Sequence, residues 1–379
     1  MKIKKNNRMY RFLLFLTVAV TVGFQTWRTL FNNFAVEAAS LDGVHVGIIQ
    51  SAREIPGFLT LLVIFVIIVI KERRLSALSV MVMGVGVALT GFFPSYAGLL
   101  FTTVVMSFGF HYYETTNQSL TLQYFDTKTS PLVFGKQRSF AAASNIAAGV
   151  AIYLMAPRMS YLSIYLIIGV LVVAAGLWGF FQNPDSRDIP LQHKKMIFKG
   201  RYWLYYFLNF MSGARRQIFV AFAVFLLVKK FDFTVQEIAI LFLVNNVVNF
   251  FLSPLIGKAI IRFGERKVLS LEYFSLIFIF IAYAFAQSKM VVAGLYILDH
   301  VFFNFAIAIR TYFQKISDPK DIAPSMAVGF TINHIAAVFL PAAGGLLWMI
   351  DYRIPFFLGA VLSLVSLVAV QKIDIHIQK

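Results

Sequence analysis

Residues 160–181 read SYLSIYLIIGVLVVAAGLWGFF, 22 residues without one Asp, Glu, Lys or Arg. At about 1.5 Å rise per residue, a helix of this length crosses the roughly 30 Å hydrocarbon core of a bilayer. Outward from it, eleven further apolar runs occur at about 10–36, 46–70, 75–93, 97–123, 137–156, 202–228, 236–257, 268–287, 290–313, 324–348 and 354–371. Connections such as Pro94-Ser95-Tyr96 span only a few residues, so neighbouring helices must be antiparallel. The longest connection, Gln182 to Gly200, is polar and separates two sets of six. The expected fold is therefore an all-α membrane protein of two six-helix bundles, 1–181 and 202–379, joined by a cytoplasmic linker at 182–201. The first run follows a basic head and outlasts a signal-peptide core, so it is expected to stay uncleaved.

Composition points the same way. The 379 residues are 59% hydrophobic and 13% charged, with 41 Phe and a mean hydropathy of +0.76. A soluble domain needs about 25% charged residues to cover its surface. The absence of Cys excludes disulfides, thiolate metal sites and Cys nucleophiles. The net charge of +17 would suggest nucleic acid in a soluble chain. Here it follows topology instead. With the N-terminus inside, the cytoplasmic segments hold 24 of the 34 Lys and Arg, the opposite loops hold 5, and Arg28, Arg53, Arg215, Arg216 and Arg310 lie within spans. This is a positive-inside distribution, which puts both termini in the cytoplasm and the basic charge against anionic headgroups. No nucleic-acid partner is expected.

The halves repeat. Phe34-Ala35-Val36 returns as Phe222-Ala223-Val224, and the same offset of 188 sets Arg28 on Arg216 and Tyr124-Phe125 on Tyr312-Phe313. Internal repeats of this kind build many secondary transporters, with the substrate site near the midplane between halves.

Between the eighth and ninth runs the chain reads Gly257-Lys258-Ala259-Ile260-Ile261-Arg262-Phe263-Gly264-Glu265-Arg266-Lys267. This resembles the cytoplasmic signature of the major facilitator superfamily, with Gly257, Arg262, Gly264 and Arg266 as the gate-motif residues. Ile261 stands where that family often has an acid, and the first-half equivalent, Lys71-Glu72-Arg73-Arg74, has no glycine. A second similarity lies at Pro341-Ala342-Ala343-Gly344-Gly345-Leu346-Leu347-Trp348, whose small residues permit close helix crossings. The Gly-Pro-Gly-Gly motif of drug antiporters is absent from Ser144 to Pro157. The resemblance implies a secondary active transporter, by symport or antiport, multi-pass in a bacterial inner membrane and acting as a monomer.

Ionisable groups at membrane depth cost about 2.5–3.5 kcal/mol or more on insertion scales, so each is a candidate for function. Gln25, Arg28 and Asn32 share one face of the first span, and Asn209, Ser212, Gly213 and Arg216 share one face of the seventh. A guanidinium is permanently charged and suits carboxylate or phosphate. The Arg28/Arg216 pair is similar to that of organophosphate/phosphate antiporters within the superfamily, which implies anion binding. The competing assignment is that internal carboxylates neutralise both arginines.

Arg53 and Glu54 are adjacent and point about 100° apart on a helix, so each is expected to serve a different partner. Pro56 is expected to kink that helix and free a carbonyl. Arg215 is expected to reach a carboxylate of the first half, and Glu272 to lie near a cytoplasmic helix end. His111, Glu114 and Asn117 or Gln118 form a stripe in the fourth span, and Asp299 and His300 lie in the tenth with Asn304 one turn on. A His beside a carboxylate in low dielectric suits proton loading and release. Glu54, His111, Glu114, Asp299 and His300 are the expected proton-coupling residues; Arg28, Arg216, Gln25, Asn32 and Asn209 are the expected substrate-binding ones. There is no Walker loop, no nucleophile elbow and no metal-ligand spacing, so neither enzymatic activity nor a cofactor or metal is expected. The expected function is transport of a small anionic or zwitterionic solute, proton-coupled or by exchange. The alternatives are a proton-driven efflux pump for hydrophobic or cationic compounds, and a non-transporting sensor or assembly partner.

Overall fold

The computed structural model describes residues 8–184 and 189–378, with a few side chains, among them those of Pro341 and Ala342, outside that description. The predicted cytoplasmic charges at Lys2, Lys4, Lys5, Arg187 and Lys379 also lie outside the described residues. Every described regular element is helical. Twelve segments follow in order: α1 (Arg8–Glu37), α2 (Gly43–Val69), α3 (Glu72–Thr90), α4 (Tyr96–Tyr124), α5 (Ser130–Met155), α6 (Tyr161–Phe181), α7 (Gly200–Phe231), α8 (Val235–Phe263), α9 (Glu265–Phe285), α10 (Lys289–Ile316), α11 (Ile322–Ile350) and α12 (Ile354–Val370). A short α13 (Ile373–Gln378) follows. Nine are long and apolar enough to cross a membrane among the described residues; the others, α4, α5 and α11, have 29, 26 and 29 residues.

Helix starts follow the sequence. Asp42 caps α2 by accepting from the His45 backbone N–H, and Ser160 caps α6 by accepting from Ser163 N–H. Thr234 and Glu237 close a reciprocal capping box at α8. Two spans outrun the expected bounds by six residues or more at one end. The fifth starts at Ser130 rather than near residue 137, because Asp126 Oδ1 accepts from Lys128 N–H and Thr129 N–H and opens the helix early. Lys136 and Arg138 are thus helical. The eighth runs through Pro254 to Phe263, carrying Lys258 and Arg262 on its last turns.

The chain forms two compact units. The first comprises Met1–Tyr124, Phe140–Ile197 and Pro319–Thr331. Its centre is α3, packed against α4 and α6 and touching α1. Glycine sets those approaches: a Cβ on Gly86 would lie 2.4 Å from Met106 N, and one on Gly109 2.4 Å from Ser79 O. Lipid offers no hydrophobic drive between helices, so close backbone packing must hold them.

The second unit comprises Phe125–Ser139, Phe198–Asp318 and Ile332–Lys379. Here α9 packs on α12 and α10, while α7 packs on α12. Phe219, Phe222, Leu226, Leu276, Phe280, Tyr283 and Phe356 form its apolar core. The start of α5 lies on α8, where a Cβ on Gly257 would sit 2.4 Å from Pro131 O.

Three spans are interrupted. α2 breaks after Ala52 and continues as Ile55–Phe58, a 3-10 turn at Leu59–Leu62 and Val63–Val69. Pro56 sits in the first turn after the break, where its missing N–H costs nothing. α7 widens into a π-helical turn at Ile218–Ala223, and α10 tightens to 3-10 at Asn304–Ala306. Irregular turns of both kinds recur at functional sites.

Between α8 and α9, Gly264 has φ +81° and ψ 160°, a region essentially restricted to glycine. Open space surrounds its Cβ position. Replacing Gly264 by Ala should therefore destabilise by backbone strain alone, about 1–3 kcal/mol, read as a lowered midpoint of thermal unfolding in detergent; an unchanged midpoint contradicts this account of the turn.

Candidate functional site

In the first unit, α1 presents one polar exposed edge. Arg28, Thr29, Asn32, Asn33 and Glu37 are exposed and Gln25 is half-buried, while Trp27, Leu30, Phe31 and Phe34 are buried. The polar residues link along the helix: Arg28 Nη2 donates to Gln25 Oε1 at 2.7 Å, and Gln25 Nε2 to Thr29 Oγ1 at 3.0 Å. Asn33 Nδ2 donates to Glu37 Oε1 at 3.0 Å. A transmembrane helix with such an edge presents it to water or to a polar ligand, because hydrocarbon would leave those groups unsatisfied.

Arg53 and Glu54 do bridge each other, contrary to the expectation from sequence. Arg53 donates to Glu54 Oε1 from Nη2 at 2.7 Å and from Nε at 3.2 Å. The 100° rule applies inside a continuous helix, and this pair sits at the break in α2, where the long guanidinium side chain folds back on its neighbour. The Arg53 guanidinium also lies 5.9 Å from the Phe24 ring centre and 5.8 Å from that of Trp27. The carbonyl that the break frees is Arg53 O, and Ser107 Oγ on α4 donates to it. Pro56 accompanies the break, as expected.

Ser107 leads on to His111. Its hydroxyl lies 3.0 Å from His111 Nδ1, which is also 2.9 Å from Ser107 O. A Glu54 carboxylate oxygen lies within 4.8 Å of a His111 ring nitrogen. Two sequence-predicted residues from different spans are thus brought together inside one unit, beside a serine that links His111 to Arg53 O and that the sequence reading did not single out. Glu114 is half-buried, with Gln118 Nε2 3.4 Å from its Oε2. Asn117 and Gln118 are buried. Trp27, Tyr113 and Tyr205 are fully buried packing residues.

In the second unit, Asn209 turns to its own helix, Nδ2 donating to Tyr205 O at 2.9 Å, while its carbonyl accepts from Asn333 Nδ2 at 3.0 Å. Next to it Gly213 meets α11: a Cβ there would lie 2.1 Å from Asn333 O. Arg216 is half-buried.

Arg215 does not seek the first half. It points into the second unit, Nη2 3.7 Å from Glu272 Oε1, with Ser366 Oγ accepting from Nη1 and the Tyr273 ring centre 4.3 Å away. Glu272 is no helix-end residue; it is 1% exposed and Arg215 2%. The adjacent Asp299 and His300 diverge. Asp299 is 1% exposed. His300 Nε2 lies 2.7 Å from Asn249 Nδ2, and Asn304 Nδ2 donates to Asn249 Oδ1 and to His300 O, both at 2.7 Å. Asn304 is indeed one turn beyond His300. The missed partner was Asn249, visible in the sequence only as one of three intramembrane Asn on α8.

A family model described as Major Facilitator Superfamily matches residues 9–309 and again 202–373. The chain belongs to the major facilitator superfamily. It is thus a multi-pass membrane protein of a transporter family, whose members are transporters rather than enzymes and bind small molecules. A 27% identical stretch of 187 residues aligns with Multidrug resistance protein 1 of Bacillus subtilis (strain 168), so the chain spans about half of that relative (47%) and the match takes 48% of this chain. Solved superfamily structures match over nearly their whole length. A bacterial homologue of the iron transporter ferroportin, outward-facing, gives TM-score 0.77 at 14% identity over 97% of this chain and 99% of that one. FucP in the outward conformation gives 0.77 at 14%, over 96% and 98%. The human organic anion transporter MFSD10 (TETRAN) gives 0.76 at 11%, over 97% and 100%. At these identities the likeness is one of fold.

The superfamily loop carries a charge cluster. Glu265 is 2% exposed and accepts from Lys315 Nζ at 2.6 Å, while Arg266 Nε lies 3.0 Å from Asp374 Oδ2. Arg262 is exposed, its guanidinium 5.3 Å from the Phe263 ring centre. Glu265 supplies the loop with an acid at a different position from Ile261.

The Ser107 bond to Arg53 O makes a checkable demand. Ser107→Ala leaves a carbonyl at the α2 break without its side-chain donor, which should cost about 1–3 kcal/mol, whereas Ser107→Thr keeps the hydroxyl and most of the stability. Equal stability of both variants in denaturant titrations rules the bond out as a support of the break.

Proposed function

We propose that this transporter moves a small anionic or zwitterionic solute across the cytoplasmic membrane of a bacterium by alternating access of its two halves, either with protons or in exchange for another anion. The observation that carries this reading is the exposed polar edge of α1, with a permanently charged Arg28 at its centre. The sequence repeat, which sets Arg216 at the equivalent position of α7, supports assigning both arginines to the solute's anionic group, with Gln25, Asn32 and Asn209 as polar neighbours. Two other intramembrane arginines face carboxylates, Arg53 with Glu54 and Arg215 with Glu272. Glu54 and His111 load and release the coupling proton in this reading, with Glu114, Asp299 and His300 as further carriers. The transporter works as a monomer in the bilayer, with both termini cytoplasmic.

A second reading is a proton-driven efflux pump for hydrophobic or cationic compounds, supported by the partial similarity to the Bacillus subtilis multidrug resistance protein. The two differ in which charge the solute carries.

A thermal-shift screen of the detergent-purified protein against organic acids, phosphate esters, amino acids and cationic dyes selects the solute class, since a bound ligand stabilises the folded state by mass action. In proteoliposomes, Arg28→Gln and Arg216→Gln should each reduce uptake of the selected anion to background while leaving the unfolding midpoint in place. Wild-type uptake in both variants defeats the anion reading. Cation transport lost only in Glu54→Gln or Glu114→Gln selects the pump.

A further inference from the structure

The histidine of α10 stands in a ladder of hydrogen bonds whose directions follow from its one backbone member. His300 O is a carbonyl and can only accept, so the Asn304 atom 2.7 Å from it is the amide nitrogen, Nδ2. The same nitrogen lies 2.7 Å from a side-chain atom of Asn249 on α8, which must therefore be the amide oxygen, Oδ1. The other end of that amide is then Nδ2, which can only donate, and 2.7 Å from it stands His300 Nε2. A ring nitrogen that faces a donor presents its lone pair, and a neutral imidazole carries its proton on the other nitrogen. Turning the Asn304 amide round would set its oxygen against the His300 carbonyl, and turning Asn249 alone would set two NH2 groups against each other. The carbonyl at one end thus dictates the protonation of the ring at the other. Asn304 is 3% exposed, and Asn249 and His300 are half-buried. From the widened turn of α7, the Phe219 ring lies 6.1 Å from the His300 ring, centre to centre, and stacks on Tyr296 at 5.0 Å. Phe219, Asn249 and Asn304 are all uncharged, and Asp299, beside His300 in the chain, is buried.

We infer that Asn249 and Asn304 are positioning residues for His300, holding it as a neutral ring with its proton on Nδ1 and with Nε2 occupied by the Asn249 amide. A proton then enters at Nε2 only when that amide turns round and offers Oδ1 in place of Nδ2. The proton adds to the Nε2 lone pair, and the resulting imidazolium N–H donates to Oδ1. The same rotation breaks the bond to Asn304, whose Nδ2 cannot accept from another amide nitrogen. Asn304 opens the 3-10 turn Asn304–Ala306 of α10. Proton arrival at His300 and release of the side chain at the head of that turn are therefore one event. This deepens the proton-coupling part of the reading above and rests on His300 as a carrier; the assigned roles of Asn249 and Asn304 are new to it.

The test reads the ring itself and needs neither solute nor gradient, so its failure and that of the transport reading are separable. The full-length protein, carrying ring-15N histidine and reconstituted in liposomes at neutral pH, is studied by solid-state NMR, with the His300 signals identified by their loss in His300→Gln. Wild type should show a protonated Nδ1 and a bare Nε2. Asn249→Asp should move the proton to Nε2, because a carboxylate can only accept. Asn304→Leu should yield both tautomers, because the Asn249 amide is no longer anchored. A purely structural role for the two asparagines would leave the tautomer unchanged, so a wild-type pattern in both variants overturns the proposal, as does a protonated Nε2 in wild type. Should the variants fail to fold, the wild-type spectrum decides alone between the Nδ1–H form, which supports the ladder, and the Nε2–H form, which overturns it.

Discussion

In this protein hydrocarbon surrounds what water would otherwise satisfy, so every charge and every freed backbone group at depth must find its partner inside the fold. The Arg53–Glu54 bridge is the clearest product of that constraint. Two adjacent residues that a regular helix would splay apart turn to each other because the helix ends between Ala52 and Ile55. The same break releases Arg53 O, and a serine from the neighbouring span takes it up. Broken helices are tolerated at membrane depth where the freed groups are re-satisfied.

Polar groups in the two units are handled differently. In the first, they lie along an exposed edge of α1, where they pair within one helix, and at a junction of α2 with α4. In the second, they are drawn inward. Arg215 and Glu272 face each other from two helices where side-chain exposure is nearly nil, and Asp299 is as deeply buried on a third. The Asn249–His300–Asn304 chain sits on the neighbouring face of α10, so consecutive residues Asp299 and His300 feed separate networks.

The architecture was legible because it rests on long-wavelength signals: apolar runs of bilayer length, short connections, and the sidedness of Lys and Arg. Helix ends were less so. The start of α5 was missed by seven residues because Asp126 opens a helix through residues whose composition reads as loop. Candidate site residues were recognised by type, as charges where charge is costly, and their partners were misjudged for two reasons. Arg53 and Glu54 were read on an ideal helix that does not exist there. Arg215 was assigned outward because sequence spacing reports which face of a helix a residue takes, not which of several neighbouring helices supplies the nearest acid. Ser107 and Asn249 had no signal at all beyond being polar in an apolar run, since their importance derives from a carbonyl and a ring nitrogen placed by other spans.

The widened turn at Ile218–Ala223 breaks an equality that the repeat would otherwise keep. The offset of 188 holds from Arg28 and Arg216 before it to Val36 and Val224 just past it. The two stretches therefore contain the same number of residues, yet α1 winds them as ordinary helix and α7 as a looser coil. A looser coil advances less along its axis for each residue, so this stretch of α7 rises less than its counterpart in α1. Equal residue counts thus give unequal rises, with the difference stored just past Arg216.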